Sequence, residues 1–292
     1  MRGVGQATAA ITIVNALATG VGSAVGIDLA VRAEIELHPA GSNGRWDVEV
    51  AEPARTPLVI AALDVALNRF APGSSGTGRL TLRSEIPAGR GLKSSSAVGA
   101  AIVIAVAEAT DSAVSPTEVA RLSAEVGRSA GVSATGAFDD ALAGVSSGVV
   151  VTDNRRCELL RAYPLGEELG AALWVPPATH RPSPEWAEAF SARAGEGRVA
   201  ADAALSGDWQ RAMRANTELV ERVLGYDYAE VRERLTRAGA LAVGVTGMGP
   251  ALAAIAARGM LPAVETAFPD RPGERRSVRF SLPPRPRGSV RP

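Results

Sequence analysis

The chain is poor in the residues that much of enzyme chemistry draws on. Of its 292 residues one is cysteine, Cys157, and two are histidine, His38 and His180. A single cysteine excludes an internal disulfide framework and fits a reducing, cytosolic compartment. So few cysteines and histidines leave little material for a zinc centre or a histidine-based triad. Aromatic residues make up 4% of the chain, too few for a platform that stacks single-stranded bases. The formal net charge is +0, which gives no purchase on bulk nucleic acid or a membrane surface. The longest apolar run, Ala97 to Ala107, is too short to span a bilayer, and Met1 to Gln6 lacks the apolar core of a signal peptide. What remains is an ordinary soluble globular composition, 46% hydrophobic and 21% charged, long enough for one large domain or two smaller ones.

Lysine is the scarcest charged residue: Lys93 is the only one, and every other basic side chain is arginine or histidine. It stands in the stretch around which the chain is organised, Pro87-Ala88-Gly89-Arg90-Gly91-Leu92-Lys93-Ser94-Ser95-Ser96-Ala97. Before it, Arg79 to Ile86 alternates apolar and polar residues, the period of a half-buried strand. After it, Val98 to Ala109 reads as a buried helix. Gly89 and Gly91 permit backbone angles closed to other residues, and the serines fall where a first helical turn leaves N–H groups unpaired. A helix N-terminus with small residues and a cation beside it is an anion site, most often for phosphate.

The rest of the chain reads as mixed α and β. Strands are expected at Gly5 to Val14, Ile27 to Leu37, Trp46 to Ala51, Leu142 to Val151, Glu158 to Leu165, Ala171 to Val175, Ala240 to Val245 and Val278 to Leu282. Helices are expected at Thr56 to Phe70, from the capping Ser115 with Pro116 to about Ala130, in two or three pieces over Glu185 to Leu224 behind Ser183-Pro184, at Tyr228 to Ala238 and at Ala251 to Ala257. Asn15 to Gly26 reads as a glycine turn; it approaches the dinucleotide fingerprint but its third glycine falls one residue late. Gly131 to Asp140 is a small-residue loop ending in the adjacent carboxylates Asp139 and Asp140. A second glycine loop, Gly247-Met248-Gly249-Pro250, follows the strand at Ala240. The central stretch is not a Walker loop, because Leu92 stands where the second glycine should be.

Pro87-x-x-x-Gly91-Leu92-x-Ser94-Ser95 resembles the nucleotide loop of the GHMP kinases, the superfamily of galactokinase, homoserine kinase and mevalonate kinase. Gly247-Met248-Gly249-Pro250-Ala251 is similar to that family's third motif, with Met248 in place of the usual small hydroxyl residue. Within the family, Thr12 to Gly20, Gly91 to Ser96, Gly136-Ala137-Phe138-Asp139-Asp140-Ala141 and Thr152-Asp153-Asn154 resemble the archaeal-type shikimate kinases. The resemblance implies an α+β fold of two domains: an N-terminal ATP-binding domain over 1–150 and a ferredoxin-like C-terminal domain over 151–282; the proline- and arginine-rich stretch 283–292 reads from its composition as a disordered tail. It implies ATP-dependent phosphorylation of the 3-hydroxyl of shikimate, with homoserine or another small alcohol, or ligand sensing without turnover, as alternatives.

Residue by residue, the resemblance implies that Pro87 to Ala97 bind ATP and that Ser95 and Glu125 hold Mg2+. Asp139 is the first candidate for the base and Asp140, one register away, the second, with Lys93 adding charge. Asn15, Thr19, Asp28, Asp139, Gly247, Met248 and Gly249 are expected near substrate. Arg181, in a proline-rich loop after a strand, is the candidate for the substrate carboxylate, which an arginine fork suits.

Overall fold

The computed structural model describes residues 1–42, 44–52, 56–133, 135–178 and 184–280. His180, Arg181, Ser183 and the expected tail lie outside the described residues. The chain forms ten strands and nine α-helices among the described residues.

The first sheet is built on a long hairpin. Strand β1 (Arg2–Val14) pairs antiparallel with β2 (Val21–Ser42), and on its other edge β2 pairs with β4 (Ser74–Ser84) and with β5 (Val149–Asp153). Strand β3 (Trp46–Glu52) runs parallel to β4 on one flank, and β6 (Glu158–Tyr163) closes the other, giving the order β3-β4-β2-β5-β6. Helix α1 (Pro57–Phe70), capped by Thr56, helix α2 (Ser94–Ala109) and helix α3 (Pro116–Ser129), capped by Ser115, stand with this sheet. Helix α2 is apolar all round and almost wholly buried, as a central helix must be. The glycines of β1 admit it: a Cβ on Gly3 would lie 2.0 Å from the Ala105 carbonyl oxygen, and one on Gly5 1.9 Å from that of Ala101.

The second sheet is antiparallel throughout, in the order β10-β7-β9-β8. Its strands are β7 (Leu169–Val175), β8 (Ala240–Val245), β9 (Leu252–Ala257) and β10 (Glu274–Arg279). Helices α5 (Pro184–Ser191), α6 (Ala194–Ser206), α7 (Trp209–Leu224), α8 (Ala229–Arg237) and α9 (Leu261–Thr266) complete this half. Strands β5 and β6 belong to the first sheet, so the change of sheet falls between Tyr163 and Leu169, beyond the residue-150 boundary expected above.

Four local expectations are corrected. The stretch Ala251 to Ala257 is strand β9, not a helix; an alanine-rich run has no period to tell the two apart, and a strand buried on both faces needs none. The expected glycine turn ends at Gly20, and Gly22 and Gly26 lie inside β2. Leu142 and Ala143 end a short helix α4 (Phe138–Ala143), and the strand expected over Leu142 to Val151 starts only at Val149. The aspartate pair accordingly sits in the first turn of α4 rather than in a loop.

Candidate active site

The loop between β4 and α2 places three residues in the left-handed region: Gly89 (φ 68°), Gly91 (φ 85°) and Lys93 (φ 65°). Leu92 is buried and pins the loop from inside. Helix α2 starts after Lys93 with no side-chain cap and no acidic residue in its first turn. The N–H groups of Ser94, Ser95 and Ser96 have no intrahelical acceptor and carry the positive end of a 16-residue helix dipole. Backbone donors so arranged can receive an anion, and Lys93 adds a cation to the same loop.

The second glycine loop comes back from the other half of the molecule to brace the first. Thr246 closes β8; its Oγ1 donates to the Gly91 carbonyl at 3.0 Å and accepts from the Thr12 N–H at 3.2 Å. Thr12 Oγ1 accepts from the Gly247 N–H at 2.7 Å. The approach is so close that a Cβ on Gly91 would stand 2.2 Å from the Thr246 carbonyl oxygen. Tyr226 donates to the Met248 carbonyl at 2.9 Å. Asn15 joins the group: its side-chain amide reaches the Gly247 carbonyl at 3.4 Å, and its backbone N–H donates to Asn216 Oδ1 at 2.8 Å. Asn15, Gly247 and Met248 therefore stand together, with Gly249 next in the same loop. Thr19 closes its own turn by accepting from the Val21 N–H at 3.1 Å.

The two carboxylates have different surroundings. Asp139 is 5% exposed. Its Oδ1 accepts from Asn154 Nδ2 at 2.7 Å, its backbone N–H donates to Asn154 Oδ1 at 3.2 Å, and Thr152 Oγ1 holds that same oxygen at 2.7 Å. Its Oδ2 presses on β2 where Gly22 has no side chain; a Cβ there would lie 2.4 Å away. Burial, and then the neighbouring Asp140 charge, push the Asp139 carboxyl up to about 7, against the opposing pull of Lys93 and Asn154. Asp140 instead pairs with the loop before α2: its Oδ1 lies 2.9 Å from Lys93 Nζ without forming a hydrogen bond, so the contact is one of charge.

Two further expected site residues stand on exposed faces of their elements. Asp28 is exposed on β2 and accepts from the Arg279 N–H at 2.9 Å, tying β10 to the first sheet. Glu125 is exposed on α3 and makes no hydrogen bond to Ser95. Ser123 packs on α2, donating to the Ser96 carbonyl at 3.0 Å, and a residue two places on points away from α2. Glu125 lines a groove of about 550 Å³ between α1 and α3 with Pro57, Ile60, Asp64, Asn68 and Ser129. That groove lies toward the N-terminal end of α2. The Ser123 contact sets the C-terminal half of α3 beside the start of α2, and the Arg69–Glu118 ion pair (2.6 Å) sets the start of α3 beside the end of α1.

Sequence reasoning missed Thr12, Asn154, Asn216 and Thr246. Thr12 and Asn154 lay within quoted motifs, but nothing in their spacing shows that they hold a loop from the far end of the chain or the partner carboxylate.

The family model for the GHMP kinases N terminal domain matches residues 57–148, and that for the GHMP kinases C terminal matches residues 200–270. The shikimate kinase of Pyrococcus furiosus is 37% identical over 255 residues, 87% of this chain and 92% of that protein. The chain belongs to the GHMP kinases, in their archaeal-type shikimate kinase branch. The shikimate kinase of Halobacterium salinarum is 34% identical over 284 residues, 97% of this chain and 98% of the relative. Solved GHMP kinases share the fold. A homoserine kinase from Cytophaga hutchinsonii superposes with a TM-score of 0.70 at 16% identity, covering 97% of this chain and 98% of that one. The Methanococcus jannaschii mevalonate kinase reaches 0.72 at 14%, covering 96% and 99%. The fold is thus the mixed α and β, two-domain GHMP kinase fold, and the protein is a kinase of that family. No helix among the described residues is long and apolar enough to cross a membrane.

Proposed function

We propose that this chain transfers the γ-phosphoryl group of ATP to the 3-hydroxyl of shikimate, giving shikimate 3-phosphate and ADP. The observation that carries the reading is the Lys93–Asp140 pair held at the mouth of an anion-receiving helix terminus, in a chain whose shikimate kinase relatives match it almost end to end. Phosphoryl transfer asks a protein mainly for positioning and for stabilisation of charge. The backbone N–H groups of Ser94, Ser95 and Ser96 take the phosphates, and Lys93 adds a cation at the transferred group. The groove between α1 and α3 takes the adenosine end; Asp64 and Glu125 offer acceptors to ribose hydroxyls there.

Asp140 accepts the proton of the attacking hydroxyl. It pairs with Lys93 of the phosphate loop, whereas Asp139 is buried, with its Oδ1 held by Asn154 and its Oδ2 packed where Gly22 leaves no room for a side chain. Asp139 positions α4 and its neighbour. The family's magnesium ion fits the donor set as a cation shared with ATP. Ser95 offers a hydroxyl and Asp140 a carboxylate, and no group of three or more His, Cys, Asp and Glu side chains stands together among the described residues. When bound there, such a cation would neutralise phosphate charge.

A coupled ADP-release assay over a panel of alcohols tests the reading. Turnover with shikimate is expected. Turnover with homoserine and none with shikimate would contradict it, as would binding of ATP and shikimate without ADP release.

A further inference from the structure

Arg90 lies between the left-handed Gly89 and Gly91, in the middle of the phosphate loop. Its Nη1 donates to the carbonyl of Pro176, the residue that follows β7 in the second sheet. Its Nε is buried and has no partner, and it is the one buried arginine nitrogen in that state among the described residues. Neither Nε nor Nη2 meets an acceptor there, and no carboxylate neutralises the guanidinium. The Nε–H and the outer Nη2–H of a guanidinium point the same way. They form the edge that takes both oxygens of a carboxylate at once. Arg90 is thus a tethered fork with its carboxylate-binding edge unused.

We infer that Arg90 binds the carboxylate of the acid substrate. The inference rests on the shikimate reading above and names the cation that reading requires. The direction of the side chain separates this anion from the phosphates of ATP. Those are met by the start of α2 and by Lys93, while Arg90 turns from α2 toward the exit of β7 on the other half of the molecule. Nη2 is the open end of the edge: the first carboxylate oxygen meets it, and a small shift of the loop brings the second oxygen onto Nε. The tether to Pro176 fixes the plane of the fork, so a lysine at this position supplies the charge without the paired geometry.

The test compares wild type with Arg90→Gln and Arg90→Lys on the full chain, with shikimate and with shikimate methyl ester, varying each against saturating ATP. The KM for shikimate rises about 10- to 100-fold in Arg90→Gln, the loss expected of a charge-assisted hydrogen-bonded pair. The KM for ATP changes by less than about threefold, since its phosphates keep their own donors. The wild-type preference for the free acid over the ester disappears in Arg90→Gln. Arg90→Lys retains the charge and a tether, guards against a folding failure, and recovers part of that preference. An unchanged KM for shikimate, or a rise in the KM for ATP instead, overturns the inference while leaving the function standing. Absence of shikimate turnover in the wild-type chain defeats the function and this inference together.

Discussion

Asp140 Oδ1 lies 2.9 Å from Lys93 Nζ, with only 12% and 10% of the two side chains exposed. The pair joins the first turn of α4 to the residue that caps α2. It thereby sets a carboxylate against the place where backbone N–H groups converge. Asp140→Asn should lower kcat by roughly 10²- to 10⁴-fold, the range typical of a lost general base. Asp139→Asn should cost less, within about tenfold, if positioning is its only role. Steady-state kinetics with both variants decide the register; the reverse order of losses would restore Asp139 as the base.

Lys93 carries two separable burdens, a charge and a left-handed backbone at φ 65°. Glycine relieves the backbone and methionine does not. Lys93→Gly should be more stable than Lys93→Met by about 1 kcal/mol, the cost of αL for a residue with a Cβ. Both leave Asp140 without its cation and should lower kcat/KM for ATP by about tenfold or more. Urea midpoints read the first difference and initial rates the second. Equal stability of the two variants would count against a strained loop.

The raised Asp139 carboxyl makes stability depend on pH in the direction opposite to a salt-bridged aspartate. Below its ordinary value of 3.8 it is protonated folded and unfolded alike. Between there and about 7 the folded chain holds the proton and the unfolded chain does not, so each rise in pH withdraws stability. The slope from this group is at most about 1.4 kcal/mol per pH unit. Melting temperatures between pH 5 and pH 8 should fall in the wild type, and Asp139→Asn should flatten that part of the profile. A wild-type profile that rises over this interval would show that Asp139 is not held protonated.

The brace between the glycine loops predicts a selective defect. Thr246→Val removes the hydroxyl that links Gly91 to Thr12, and Gly91→Ala pushes a methyl group into the Thr246 carbonyl. Both should raise the KM for ATP, Gly91→Ala more strongly, because overpacking and a positive φ act on the same residue. Ala61→Phe in the wall of the α1–α3 groove should raise it too while sparing shikimate. Measured KM values for the two substrates separate these effects. A Thr246→Val enzyme with unaltered ATP kinetics would mean that the brace is idle.

Much of this site was legible from residue order, and what was not has physical causes. The phosphate loop announces itself because glycines, serines and a cation are adjacent in the chain, between a strand of clear period and a long apolar run that reads as a buried helix. Helix α3 was readable from Ser115, Pro116 and Glu118, since a cap is a local device: Ser115 accepts from the Glu118 N–H at 3.2 Å. Strand β9 was not readable, because Ala251 to Ala257 is apolar without interruption. The different fates of Asp139 and Asp140 were also hidden. They are set by Asn154, fifteen positions on, by Gly22 in another strand and by Lys93 in another loop. The direction of Glu125 was hidden too: two residues on from Ser123, which packs on α2, it lines the α1–α3 groove. Arg90 was visible only as a member of a motif; the tether that marks it out comes from Pro176 on the other sheet.

The most direct test follows the phosphorus. The purified chain, incubated with ATP, Mg2+ and shikimate, should yield a product whose phosphorus couples to the proton on carbon 3 in the NMR spectrum, with ADP formed in equal amount. A phosphate on another hydroxyl, or ADP released with no phosphorylated shikimate, would contradict the account.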